Sequence, residues 1–230
     1  MKNIFLLYII VCCISDCFGQ DTVERKNRLS DSVIERFYVL KSDPEIKQGP
    51  YKAFFRRKTL IALGNYRNNL KTGIWQFFTT RGVLIQKYNY DKKTFTYGSP
   101  MYDTGNLSFL FDDTLKKGGK VALPVKIGGS YYGFIPYMNL FRVPFETWDI
   151  QTDTFDASIE LLISPMGRLA DYTVHIQSGY YDYDRTFKLD INLFDEEDRT
   201  FKPATLNGTP VLSRIIIKCF ITFEGGLDFN

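Results

Sequence analysis

Histidine is almost missing from this chain: 230 residues contain one, His175. A zinc site built from clustered imidazole and thiolate ligands therefore has no ligand set, and a catalytic histidine has no partners at readable spacing. His175 lies between Val174 and Ile176, so strand alternation turns it away from their apolar face and makes it a solvated strand histidine. Cysteine is scarce as well. Three of the four, Cys12, Cys13 and Cys17, crowd the N-terminus, and a chain cleaved after Gly19 keeps only Cys219 and no internal disulfide. Cys219 falls on the inward face of a strand and reads as a small buried hydrophobe rather than a reactive thiol. No Gly-x-Ser-x-Gly elbow, phosphate loop or dinucleotide fingerprint is present.

Charge is balanced, at 29 basic against 26 acidic residues for a net of +3, which is too little to argue for nucleic acid. The basic clusters Arg56-Arg57-Lys58, Lys92-Lys93 and Lys116-Lys117 fall at predicted turns and read as solvated hairpin tips. The acidic run Asp195-Glu196-Glu197-Asp198 lacks the alternating spacing and central glycine of a calcium loop. It follows a predicted helix, where negative charge opposes the macrodipole, and so reads as a solvated loop or a charged contact surface. The near pair Asp182 and Asp184 has no catalytic companion. These features describe a non-enzyme with no cofactor and no metal.

Long hydrophobic runs are limited to Ile4–Val11, preceded by Lys2, interrupted after it by Asp16, and too short to span a bilayer. This is the pattern of a secretory signal peptide over 1–19, with the mature chain expected in the periplasm or on the periplasmic face of the cell envelope. Val11 before Cys12 and Asp16 before Cys17 do not supply the small residue that a lipoprotein site wants.

Aromatic residues are plentiful, at 16%, and favour β structure. A polar leader is expected over 20–32, then a strand at Val33–Leu40. An internal repeat follows without gaps. Lys47-Gln48-Gly49-Pro50-Tyr51 matches Lys71-Thr72-Gly73-Ile74-Trp75 at an offset of 24 (71 − 47), and the offset also carries Leu60-Ile61 onto Leu84-Ile85 and Tyr66 onto Tyr90. Each unit reads as one β-hairpin. A lone hairpin cannot bury its aromatic face, so successive hairpins pair edge to edge over 33–97. Tyr51, Phe54, Trp75 and Phe78 are the expected packing stripe, with a peptide or glycan platform as the other role for such aromatics. Gly49-Pro50-Tyr51 and Gly73-Ile74-Trp75 resemble the cores of MORN-like repeats of the YwqK antitoxin type.

The region 98–123 reads as a linker with one extra strand at Leu107–Phe111, turn signals at Gly98-Ser99-Pro100 and Asp103-Thr104-Gly105, and an Asp112-Asp113 to Gly118-Gly119 loop. Ser130 to Phe141 reads as a short helix with a break or late start at Pro136. Beyond it, Phe155, Ala157, Ile159, Leu161 and Ile163 alternate with polar residues, Ser164-Pro165-Met166-Gly167 makes a turn, and Tyr172, Val174 and Ile176 line a second strand. Asp184 stands at an expected helix N-cap, with Phe187, Ile191 and Phe194 at near-helical spacing until Pro203. Asn207-Gly208 turns the chain into a last strand ending at Phe223, and 224–230 reads as a flexible tail. The expected class is α+β, mostly β: a hairpin-repeat sheet followed by a small β-β-α-β domain over 124–223.

The order and spacing of Ser164-Pro165-Met166-Gly167-Arg168, Ser178-Gly179, Phe201-Lys202-Pro203-Ala204, Asn207-Gly208-Thr209-Pro210-Val211 and Ile221-Thr222-Phe223 resemble the C-terminal domain of TonB, the energy transducer of Gram-negative envelopes. Upstream, Pro124, Gly128-Gly129, Tyr137 to Phe141 and Pro144 look like the segment that often precedes that domain. The resemblance implies capture of an extended peptide, such as an outer-membrane transporter segment, by strand addition at the last strand. In this sequence that edge is Ser213, Arg214, Ile215, Ile216, Ile217, Lys218, Phe220 and Thr222. The chain departs from TonB in having a cleavable leader and only 9 scattered prolines in place of an anchor and a proline-rich spacer. A scaffolding role for the repeats and an antitoxin-like role are the alternatives, and an export signal disfavours the second.

Overall fold

The computed structural model describes residues 21–98, 105–111, 119–144 and 152–229. The expected leader 1–19 with its three cysteines lies outside the described residues, as do most of the expected turn at 98–105 and the Asp112-Asp113 and Lys116-Lys117 stretch.

Seven strands form the first sheet: β1 (Thr22–Arg28), β2 (Val33–Leu40), β3 (Lys47–Phe55), β4 (Thr59–Arg67), β5 (Leu70–Phe78), β6 (Leu84–Asn89) and β7 (Thr94–Gly98). They pair antiparallel in chain order, a meander in which each strand's partners are its sequence neighbours. Asn68 and Asn69 both take positive φ in the two-residue β4–β5 turn, which matches the twist of the flanking strands. The leader expected to be loose is instead β1, paired with β2 along its whole length. Its polar sequence hid it, because an edge strand solvated on both faces has no apolar face to alternate.

The remaining elements are β8 (Leu107–Phe111), β9 (Val121–Ala122), β10 (Val125–Lys126), α1 (Ile135–Asn139), β11 (Asp156–Ile163), β12 (Leu169–Ser178), β13 (Tyr183–Lys188), β14 (Phe201–Lys202), β15 (Ala204–Leu206), β16 (Thr209–Val211), β17 (Ser213–Ile221) and β18 (Leu227–Asp228). The second sheet runs β13-β12-β11-β17, with β18 and β8 both on the far side of β17. The expected turns are present: Gly167 (φ +72°) donates to the Ser164 carbonyl, and Asn207 and Gly208 link β15 to β16 with positive φ.

Two expectations for the C-terminal third are overturned. No helix follows Asp184: that stretch is β13, then one 3-10 turn at Ile191–Leu193 capped by Asp190, whose carboxylate accepts from the Asn192 amide. The outer edge of β12 needs backbone partners, and β13 supplies them along Thr173–Ser178, which outweighs an apolar spacing that fits either element. The tail is not loose either. Phe229 packs on Tyr131 at 5.1 Å, and Asp228 accepts from the Tyr131 hydroxyl at 2.8 Å.

One continuous hydrophobic cluster runs through both sheets. Between them lies the 126–141 segment, whose 3-10 turn at Tyr132–Phe134 leads into α1 with Pro136 in its first turn, the late start that proline requires. Its side chains face both ways. Tyr132 stacks on Phe77 at 5.6 Å and Tyr131 meets Phe55 at 5.3 Å in the first sheet, while Tyr137 packs on Phe194 and Tyr172 in the second. The segment seats through Gln86 of β6. Gln86 is buried, accepts from the Gly128 and Gly129 amides at 2.8 and 3.2 Å, and donates to the Lys126 carbonyl at 3.0 Å. Gly133 comes so near the 127–128 backbone that a Cβ there has no room.

Candidate functional site

The expected peptide-binding strand is β17, and both of its sides are occupied. β11 pairs it over Ser213–Cys219, β8 covers Ser213–Ile217 from the other side, and β18 pairs Phe220 and Ile221. Thr222 closes the tight turn to β18, donating its amide to the Gly226 carbonyl. Ser213, Ile215 and Ile217 are buried on the core face. Arg214 holds Glu160 at 2.9 Å, Ile216 is half-buried, and Lys218 and Phe220 are exposed. The backbone groups that were to take a guest strand bond to the chain's own strands. Leu107–Phe111 was legible as a strand, but periodicity reports a strand and not its neighbours.

The expected stripe of Tyr51, Phe54, Trp75 and Phe78 is half right. Tyr51 and Trp75 are buried with rings 5.0 Å apart. Phe54 and Phe78 point to the opposite face, because positions three apart on a strand face opposite sides, and Phe55 and Phe77 take their places inside. The repeat itself recurs in three dimensions: the Lys47 ammonium lies 5.3 Å from the Tyr66 ring, and Lys71, one repeat on, lies 5.3 Å from the Tyr90 ring.

Lys71 and Tyr90 also border a crevice of about 260 Å³ between the first sheet, the 127–139 segment and the acidic run. The run was expected to be a solvated loop or a charged contact surface, and two of its residues turn inward to make charged contacts. Glu197 accepts from Lys71 at 2.8 Å and from the Tyr90 hydroxyl at 2.6 Å. Lys126, with its side chain 1% exposed, donates to the Glu197 carbonyl at 2.6 Å and faces Asp198 at 3.4 Å, while the Tyr137 hydroxyl donates to the Asp198 carbonyl. Glu196 instead pairs outward with Arg168 and Arg199. Burial drags the Lys126 pKa down to about 8 against the pull of Asp198 and Glu197. Burial pushes Glu197 up, but Lys71, Tyr90 and Lys126 together outweigh it and hold the carboxyl below its ordinary range. Burial raises Asp198, with Lys126 and Lys71 opposing. Every charged group here is matched by another, so the cluster ties the first sheet to the loop before β14. Only the repeat could have hinted at it, since Lys71 and Tyr90 match Lys47 and Tyr66.

His175 lies on the outward face, 3.5 Å from Glu160 and 3.2 Å from the Thr186 hydroxyl. Cys219 is half-buried on the inward side of β17, and burial pushes its thiol up to about 12. Among the described residues no three His, Cys, Asp or Glu side chains gather as a metal site, and no helix is long and apolar enough to cross a membrane.

Among the strands that pair with a single neighbouring strand among the described residues are β1, β13, β7 and β8, the last of them uncharged but partly buried. β1 carries Glu24, Arg25, Lys26 and Arg28, and β13 carries Asp184, Arg185 and Lys188, charges of the kind that blunt an edge against pairing. β7 has no charge at all. Its Thr-Phe-Thr-Tyr-Gly is exposed throughout and includes the aromatic side chains Phe95 and Tyr97. No family model, curated protein or solved structure matches this chain.

Proposed function

We propose that this chain is an exported binding module of the cell envelope that takes an extended segment of another envelope protein by β-strand addition. The observation that carries the reading is β7: an uncharged strand of β-branched and aromatic residues, exposed along its whole length, with no partner strand on its outer side among the described residues, whereas the equally uncharged β8 is partly buried. An edge of that composition offers backbone donors and acceptors for affinity and alternate side chains for selectivity. The envelope setting rests on the leader pattern and on the likeness to the TonB C-terminal domain. Support for that likeness is the antiparallel β12-β11-β17 order, in which the β11–β12 hairpin lies beside the long strand β17. Because β17 is filled by β8 and β18, the guest strand belongs at β7 instead.

Peptides from the N-termini of outer-membrane transporters, titrated into the labelled full chain, are expected to shift the amide signals of Thr94–Gly98. Placing lysines on the rim with Thr94→Lys and Thr96→Lys should abolish the shift. If the 94–98 amides ignore every such peptide, or the lysine variant binds as well as the parent, strand addition at β7 is wrong.

A further inference from the structure

The outer face of the first sheet carries one cross-strand row through all seven strands. Lys26 faces Arg36, Arg36 faces Lys52, and the register continues through Leu63, Gln76, Lys87 and Tyr97. At a strand spacing of about 4.8 Å the row is about 29 Å long. The row one residue along holds Glu35, Ala53, Ala62, Phe77 and Gln86, all buried, so this one faces solvent by alternation. Lys26, Arg36 and Lys52 are each exposed.

Three like charges directly opposite one another on adjacent strands destabilise a sheet. Elsewhere the protein answers such charges: Arg28 has Asp31 at 3.0 Å and Glu224 at 2.9 Å, Lys71 has Glu197, and Lys188 has Asp171. None of Lys26, Arg36 and Lys52 forms an ion pair with the described residues. The acidic neighbour on that face of β1, Glu24, faces Tyr38. Beside the cations runs a second row, Ile34, Phe54 and Leu60, half-buried, and the Arg36 guanidinium sits 5.7 Å from the Phe54 ring. The face therefore combines a ladder of uncompensated cations with an apolar shelf.

We propose that this row binds an anionic polysaccharide, a chain bearing a carboxylate or sulfate on successive sugars, laid across the strands. In the middle of a sheet face the backbone is engaged in the ladder, so a ligand there is read by side chains alone, unlike a peptide at a rim. The strand spacing is close to the length of one pyranose in an extended chain, so successive anions meet successive cations. The C–H faces of the sugars rest on the Ile34–Phe54–Leu60 shelf, and Tyr97 ends the row as an exposed ring. The row lies on the face of the sheet and β7 offers a guest its rim, so either proposal can fail alone.

The test is titration calorimetry of the full chain with a six-unit oligouronate, a neutral oligosaccharide of equal length and a single-stranded oligonucleotide. The oligouronate alone should bind, more weakly as salt rises. Lys26→Gln, Arg36→Gln and Lys52→Gln should each lower its affinity about two- to fivefold, as expected of exposed charge pairs. Arg36→Lys should keep most of it. The three neutral variants should unfold at the same or a higher temperature, since they relieve repulsion, so lost binding is not lost folding. No binding at low salt, equal binding by the triple variant, or tighter binding of the oligonucleotide would each overturn the assignment.

Discussion

Lys126 makes the stability of this fold depend on pH in the mildly alkaline range. Its ammonium is buried where the 126–141 segment meets the acidic run, and burial lowers its pKa from 10.5 to about 8. Between those two values the unfolded chain still binds a proton that the folded protein has released. Stability therefore climbs with pH across that interval, by at most about 1.4 kcal/mol per pH unit and roughly 3 kcal/mol in all. A second group cuts the interval short. Burial pushes the Cys219 thiol from 9.0 up to about 12, so above pH 9 the unfolded chain loses a proton that the folded protein keeps, with a slope of the opposite sign. The clean window is pH 7.5 to 8.5, with a gain of about 0.5 kcal/mol. From about pH 9 the buried tyrosines, Tyr51, Tyr90, Tyr131, Tyr132 and Tyr137 among them, begin to ionise in the unfolded chain while the fold keeps them protonated, and together they drive stability down. Urea unfolding of the full chain, followed by the fluorescence of fully buried Trp75, measures this directly. The unfolding free energy should rise from pH 7.5 to 8.5, fail to rise in that window in Lys126→Met, and rise more steeply there in Cys219→Ala. A parent curve flat between pH 7.5 and 8.5, or a Lys126→Met variant that climbs there like the parent, would refute the reasoning.

Gln86→Ala strips two amides of their acceptor and one carbonyl of its donor in a buried seat, and should cost about 2–4 kcal/mol, with faster hydrogen exchange at Gly128 and Gly129. Gly64→Ala places a methyl group in the Trp75 ring and should cost about 2–3 kcal/mol with a shifted Trp75 emission, whereas Gly98→Ala meets open space and should leave the melting temperature unchanged. Tyr131→Phe removes a hydroxyl from buried Asp228 and should cost about 1–3 kcal/mol, read as faster exchange at the Phe229 amide, which rests on the same carboxylate.

Strands with one wet and one dry face were legible residue by residue. Phe155 to Ile163 and Tyr172 to Ile176 alternate cleanly, and their turn was readable from Pro165 and Gly167. Elements without that contrast were not. β1 is wet on both faces, and β13 has an apolar spacing that suits a helix, so backbone pairing decided them. The candidate sites were less legible still. β17 read as an edge because nothing local announces that β8 will lie against it. The Lys71–Glu197 and Lys126–Asp198 contacts join residues 126 and 72 positions apart (197 − 71 and 198 − 126).

By itself the sequence determined the repeat, the hairpin order of the first sheet, the late-starting helix at Pro136 and the antiparallel β character, since each follows from spacing and turn chemistry within a few dozen residues. The tertiary structure alone decided which strand is covered on both sides and which strands, among the described residues, pair on one side only. It also decided which acidic residues turn inward and which cations stand in one row. These depend on partners and register brought together from distant parts of the chain, and short-range periodicity carries no record of them.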